Sequence, residues 1–538
     1  MKAHLMYRDR DFDLQRKLPS HEQALTQDLE LNTLFSAMAG GNEFLFQVAK
    51  QAVLSGLQDD LETILFRQAV LKDCLRNSSV VKNIYDIAVE AIEGKWKRWM
   101  GIFSRYPGGV LYEAVELLQV FMGLLGRLKR AADEHAGKFE SEGFTTFFAM
   151  LRTELADDYF AAIKDDLKQL KFRQGVLVSA ELGKGNQGTN YVLRKSLRRK
   201  PGWIQRIFAW IQGIFARRPS AYTFRIGDRD EAGARVLSEL RDRGINLVAN
   251  AAAQSADHIL SFFVMLRTEL AFYVGCANLH RQLGQKGVPV CIPIPAPRGA
   301  RRHSCAGLRD VCLALSLKGS VVGNALNANG KDLIMITGAN QGGKSVFLRS
   351  VGLAQLMMQC GMFVAAESFS ADICPSVFTH YKREEDATMK SGKFDEELSR
   401  MSGIVDALTP DSMLLFNESF AATNEREGSE IARQIVRALL EKRVKAFFVT
   451  HLYEFAHGLW ADRMDSALFL RAEREADGQR TFRLFPGEPL QTSFGADLYQ
   501  EIFGGAALAQ RPGDKEAERW RAKIEKELAQ DNSGEKHS

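Results

Sequence analysis

Eight consecutive residues, Gly338-Ala339-Asn340-Gln341-Gly342-Gly343-Lys344-Ser345, match the pattern GxxxxGK[ST]. Glycines at these places let backbone N–H groups turn toward phosphate oxygens at the start of a helix, where the helix dipole favours anions. The lysine then reaches the β- and γ-phosphates, and the hydroxyl after it ligates magnesium. The pattern therefore predicts that residues 338–345 cradle ATP, with Mg2+ held on the Ser345 side. Further along, the apolar run Ser412-Met413-Leu414-Leu415-Phe416 ends in Asn417-Glu418. P-loop ATPases usually close this strand with an aspartate that helps hold magnesium. Here a neutral oxygen donor, Asn417, takes that place, and Glu418 is the candidate general base for the attacking water. The plainer alternative for Glu418 is a solvated carboxylate after a strand. A third run, Ala446-Phe447-Phe448-Val449, leads into Thr450-His451. An isolated histidine is more often structural, but at a strand's carboxyl end His451 is suited to sensing the γ-phosphate.

These side chains need strands that end together. Leu333–Thr337 reads as the strand before the loop, and Val346–Gln359 as the helix after it, stopping at Gly361. After about Pro289, short apolar runs alternate with helical stretches, which predicts an α/β region with a largely parallel sheet. Residues 25–172 instead show apolar positions at helical spacing, as in Leu61, Ile64, Leu65, Val70 and Leu71. Thirteen prolines in 538 residues leave room for long helices. Phe147–Leu155 (FFAMLRTEL) returns almost unchanged as Phe262–Leu270 (FFVMLRTEL), which predicts two similar helices before and after an insertion.

The intervening piece differs. Residues 175–194 carry short β-prone runs with glycine turns, and no Asp or Glu occurs from Leu182 to Arg225. Trp203, Ile204, Ile207, Phe208, Ile211, Ile214 and Phe215 fall at helical spacing between basic clusters. Such a basic amphipathic stretch fits helix packing, a nucleic-acid surface or a membrane surface. Residues 511–538 read as an exposed charged helix and a polar tail.

Composition limits the alternatives. Hydrophobic residues are 46% and charged residues 25%, the balance of an ordinary folded protein, which argues against disorder. No run of eighteen apolar residues occurs, and the charged amino terminus lacks an apolar signal core, so no membrane span and no secretory signal are expected. Seven scattered cysteines without a CxxC pair suggest reduced thiols and a cytoplasmic location. A net charge of +5 means that any nucleic-acid surface must be local.

Taken together, residues 333–459 resemble the ATPase domain of the MutS family, the DNA mismatch-repair proteins of the ABC-ATPase class. The segments carrying the resemblance are TGANQGGKSVFLRSVGLAQLMMQCGMFVAAES at 337–368, LLFNESFAATNEREGSEIA at 414–432 and FFVTHLYEF at 447–455, with FRLFPGEPLQTSFGADL at 482–498. Thr423 and Gly428 fall in register with the family's Thr and Gly after the Glu. The resemblance implies an α/β P-loop (ABC-type) ATPase domain at 288–510, preceded by a mostly α-helical core/lever domain at 59–287. A small strand-containing, clamp-like basic insert lies at about 174–224, an N-terminal segment at 1–58 and a charged tail at 511–538. It further implies ATP hydrolysis with Mg2+ and a homodimer joined through the ATPase domains, with DNA as partner in repair or recombination.

The departures shape the expectation. Too few residues precede Asp59 for the family's mismatch-reading and connector domains, so a DNA structure is expected as target and not a mismatched base. Where family members have an STF loop, this chain has Ser391-Gly392-Lys393-Phe394, and either Ser391 or Lys393 could act on a partner's γ-phosphate. Asn417 leaves open an ATP-gated clamp with little turnover. The same motor acting on structured RNA or ribosomes is the remaining alternative.

Overall fold

The computed structural model describes residues 1–99, 106–172, 175–186, 188–194, 230–383, 392–475 and 479–491. Contacts divide the chain into two units. One comprises Met1–Leu18, Leu34–Gln282 and Gln359–Met362; the other comprises Pro19–Thr33, Leu283–Met358 and Phe363–Ser538.

The first unit is helical, with Glu43–Ser55, Leu61–Arg76, Pro107–His135, Glu142–Glu154 and Glu231–Gln285 among its helices. The last of these runs 55 residues, about 80 Å at 1.5 Å per residue. The repeated nonapeptide lies on two helices and buries the same face in both. Phe147, Phe148, Leu151 and Leu155 are at most 1% exposed, and Phe263, Leu266 and Leu270 are fully covered. The helical spacing that runs to residue 172 ends in two helices, because the chain breaks at Leu155-Ala156 and restarts with Asp157-Asp158 in the first turn of Asp157–Leu170. Acidic residues there favour a new helix start. From the insert, the described residues form an antiparallel hairpin of β1 (Val178–Leu182) and β2 (Gly188–Leu193). The basic amphipathic stretch at 203–215 lies outside the described residues, as do Ser391 and the tail at 511–538.

Two helices, Pro107–Lys138 and Glu231–Gln285, are long and apolar enough to cross a membrane by length and composition. This differs from the expectation, because averaged hydropathy tolerates the scattered polar residues that interrupt a strict apolar run. Their most apolar windows are 39% and 67% buried inside the protein. Core packing therefore accounts for most of that window in Glu231–Gln285 and for the smaller part of it in Pro107–Lys138.

The second unit is α/β. β6 (Leu333–Gly338), β8 (Val377–Tyr381), β9 (Met413–Asn417), β10 (Lys445–Val449), β11 (Ala467–Arg474) and β12 (Arg480–Pro486) form one sheet in the order β12-β11-β6-β10-β9-β8. All pairings are parallel except β11 with β12. Leu414, Phe416, Ala446 and Phe448 point to a core face shared with the helices Glu425–Glu441 and Tyr453–Ala461, and Phe416 stacks on Phe448 at 4.5 Å. Unforeseen in the sequence is a second, mixed sheet, ordered β3-β7-β4-β5, made of β3 (Ile294–Ala296), β4 (His303–Leu308), β5 (Asn324–Asn327) and β7 (Ser368–Asp372). Because β6, β9 and β10 run parallel and adjacent, their carboxyl ends meet at one edge, where ligands bind in open α/β sheets.

Candidate functional site

The loop after β6 is shaped by its neighbour β11. Gly338 sits at φ +108°, and a Cβ there would lie 2.8 Å from the Ala472 backbone nitrogen. Only glycine meets both demands. Lys344 opens the helix Lys344–Gln359 and is 5% exposed. Its ammonium folds back along the loop and donates to Gly338 O at 3.0 Å and Ala339 O at 2.8 Å. Burial lowers its pKa to about 8, and the Arg480 charge pushes the same way against Glu418. Two neutral carbonyls do not restore what a buried ammonium loses in hydration.

At the end of β9, Asn417 Oδ1 accepts a hydrogen bond from Ser345 Oγ at 2.8 Å. Glu418 follows in the left-handed region, φ +56°, with its N–H donating to Val449 O at 2.9 Å. That conformation is costly for a residue with a side chain and marks a position held by its surroundings. Glu418 Oε1 lies 3.3 Å from His451 Nε2. The hydrogen bond from His451 holds the Glu418 carboxyl below its ordinary value, with help from the charges of Lys382 and Lys344. Glu418 is thus an ionised carboxylate beside the loop lysine, as a proton acceptor must be.

The turn after Glu418 is held by residues that sequence reasoning missed. His380 Nδ1 and Ser419 Oγ are 2.7 Å apart, Ser419 Oγ donates to His380 O at 2.6 Å, and Phe420 N–H donates to Glu397 Oε1 at 2.7 Å. Burial lowers the His380 pKa to about 4, so it is neutral and structural. The partners lie 39 and 23 positions from the turn, too far for any local pattern to reveal them. Gly428 has a visible reason, since a Cβ there would lie 2.4 Å from Phe420 O. Thr423 hydrogen-bonds Glu427 at 2.8 Å, bracing the same turn.

A cavity of about 390 Å³ opens at this edge, lined by Asn340 through Ser345 together with Glu418 and His451. Its volume lies within the range of small-molecule sites, roughly 300–1,000 Å³. The opposite wall is apolar, with Leu313, Leu317, Val321, Val322 and the half-exposed Phe482. Of the eight loop residues, Gly338 and Ala339 do not line it; they serve as acceptors for Lys344. Asn417 lines a neighbouring cavity that shares Ser345. Lys393 begins the helix Lys393–Ala407.

Comparison with known proteins places this α/β unit in a class: residues 334–496 match MutS domain V, and residues 59–286 match the MutS2 N-terminal domain. The DNA mismatch repair protein MutS of Clostridium botulinum is 35% identical over 142 residues, 26% of this chain and 15% of the relative. MutS protein homolog 4 of Mus musculus is 30% identical over 151 residues, 28% of this chain and 16% of the relative. MutS of Porphyromonas gingivalis is 33% identical over 213 residues, 38% of this chain and 23% of the relative. The chain therefore covers less than a quarter of these relatives' lengths. It belongs to the MutS family.

Proposed function

We propose that the chain is a MutS-like, ATP-dependent DNA-binding ATPase of the P-loop, ABC type. Its role lies in DNA repair or recombination, and its target is a DNA structure, with no direct readout of a mismatched base. The observation that carries this reading is the Glu418–His451 pair opening onto the same cavity as the loop 338–345. Backbone amides of the loop and Lys344 bind the phosphates of ATP, and the apolar wall with Phe482 receives the base. Glu418 takes a proton from a water whose oxygen attacks the γ-phosphorus. The bond to the β–γ bridging oxygen breaks, and ADP and phosphate leave. His451 orients Glu418 and senses the γ-phosphate. The helical unit acts as core and lever, and the basic insert at about 174–224 acts as a clamp whose Lys and Arg neutralise DNA phosphates. Two copies close on ATP through their ATPase domains. Seven free cysteines, six of them buried, suit a reducing cytoplasm.

Ser345 and Asn417 are the oxygens that a magnesium ion arriving with ATP would meet. Both are neutral and they bond to each other, a poor donor set for a hard divalent cation, so no step is assigned to the metal. That feature also favours the second reading, a clamp gated by ATP with little turnover. Single-turnover hydrolysis tests the assignment. Glu418→Gln keeps ATP binding and loses about 10²–10⁴-fold in rate, whereas Lys344→Ala loses ATP binding. Equal hydrolysis by wild type and Glu418→Gln would refute the base, and burst-free phosphate release near background in the wild type would select the clamp.

A further inference from the structure

Beside the nucleotide cavity lies a second one of about 560 Å³, which shares Ser345 and contains Asn417. Its wall carries Asp28, Glu30, Arg349, Lys382 and Arg383. Two negative and three positive side chains give 3 − 2 = +1. The carboxylates and both arginines are already engaged: Arg349 pairs with Glu30 and with the buried Asp310, and Asp28 lies 3.8 Å from Arg383. Lys382 remains exposed and forms no ion pair among the described residues.

Its place is fixed by the sheet. Tyr381 of β8 is in register with Asn417 of β9, and the Lys382 N–H donates to Asn417 O at 2.9 Å. The lysine therefore leaves the sheet edge directly beside Asn417. Its charge reaches the site as well, since it acts on the Glu418 carboxylate.

We infer that Lys382 supplies, beside the terminal phosphates of bound nucleotide, the positive charge that a divalent cation would otherwise bring. The charges balance. An aspartate with a divalent ion amounts to +1, and a neutral asparagine with a lysine amounts to +1 as well. A divalent ion entering between Ser345 and Asn417 meets two neutral oxygens beside the unpaired charge of Lys382, whereas a polyphosphate entering alone meets compensation already built in. Lysine is a strongly hydrated point charge that holds no fixed ligand geometry, so this substitution favours binding over fast turnover.

The inference rests on the nucleotide reading of the site, and the test separates the two. ATP binding to the full chain is measured by equilibrium dialysis, once with Mg2+ and once with EDTA. Wild-type affinity changes less than about fivefold between them. Lys382→Ala loses at least about tenfold in EDTA with unchanged melting temperature, and Lys382→Arg retains binding. Asn417→Asp binds ATP well only when Mg2+ is present, because the added carboxylate repels bare phosphate. A wild-type loss of more than about 100-fold in EDTA, or EDTA affinity unchanged by Lys382→Ala, overturns the inference while leaving the nucleotide site intact. Absence of wild-type ATP binding with Mg2+ overturns the nucleotide reading itself.

Discussion

In the helical unit, Asp59 is fully buried and is met by Arg67 Nη1 at 2.9 Å, Arg16 Nη1 at 2.9 Å and Tyr7 Oη at 3.1 Å. Glu269, equally buried, accepts N–H groups from Leu5, Met6 and Phe12 and so pins the first residues of the chain to the helix Glu231–Gln285. In the α/β unit, Lys344 is almost as buried but meets only two carbonyls of its own loop, and Glu418 keeps a strained backbone. Ionic groups with complementary charged or N–H partners hold a fold together. Ionic groups left partly uncompensated are prepared for a ligand that completes them.

The largest expected effect tests the first half of this contrast. Asp59→Ala leaves the fully covered Arg67 without its counter-charge, and removing one partner of a buried pair costs about 3–5 kcal/mol. Urea unfolding should show that loss, whereas Lys344→Ala should unfold no more easily than wild type. If the two variants unfold alike, the distinction between structural and functional charge collapses. Glu269 marks the limit of the contrast, because its N–H donors compensate a buried structural charge only in part. Burial raises its pKa to about 7 despite the three N–H donors. The folded value lies above the unfolded one near 4.5, so its contribution is fully present below that pH and is lost as pH rises through 7. Wild-type stability should therefore fall by up to about 3 kcal/mol between pH 5 and 8. Glu269→Gln, whatever its absolute stability, should flatten that slope; a slope equal to wild type would assign the pH dependence elsewhere.

The two regions also differ in how far their sequence discloses them. β6, β9, β10 and the loop 338–345 are local patterns, an apolar run followed at once by its candidate residue, and the three strands lie where the pattern predicts. The α/β character follows from the same alternation. The four-stranded mixed sheet was not legible, because β3 has only three residues and pairs with Ser370–Asp372, more than seventy positions away. The division of the amino terminus was not legible either: residues 1–18 belong to the helical unit, while 19–33 belong to the α/β unit. Both depend on long-range partners that no spacing rule contains. His380 and Glu397 illustrate this within the site itself, since neither sits in a motif and both hold the turn that presents Glu418.

Lys344 gives the finest test of the contrast. In the free protein its ammonium titrates near pH 8, because burial disfavours the charge and the loop carbonyls compensate only in part. On the proposed reading, bound phosphates raise that value, so nucleotide binds most tightly to the charged lysine. Below about pH 8 the lysine is already protonated, and affinity for ATP should be flat with pH. Above it, binding must take up a proton, and affinity should fall by about tenfold per pH unit, or about 1.4 kcal/mol. Titrations between pH 7 and 9.5 would display a break near 8, with proton uptake on the alkaline side visible as a buffer-dependent heat of binding. A profile flat to pH 9.5 would mean that Lys344 keeps its charge without nucleotide. The loop carbonyls would then compensate it as fully as Arg67 compensates Asp59, and the uncompensated charge of this site would have to be sought at Glu418 instead.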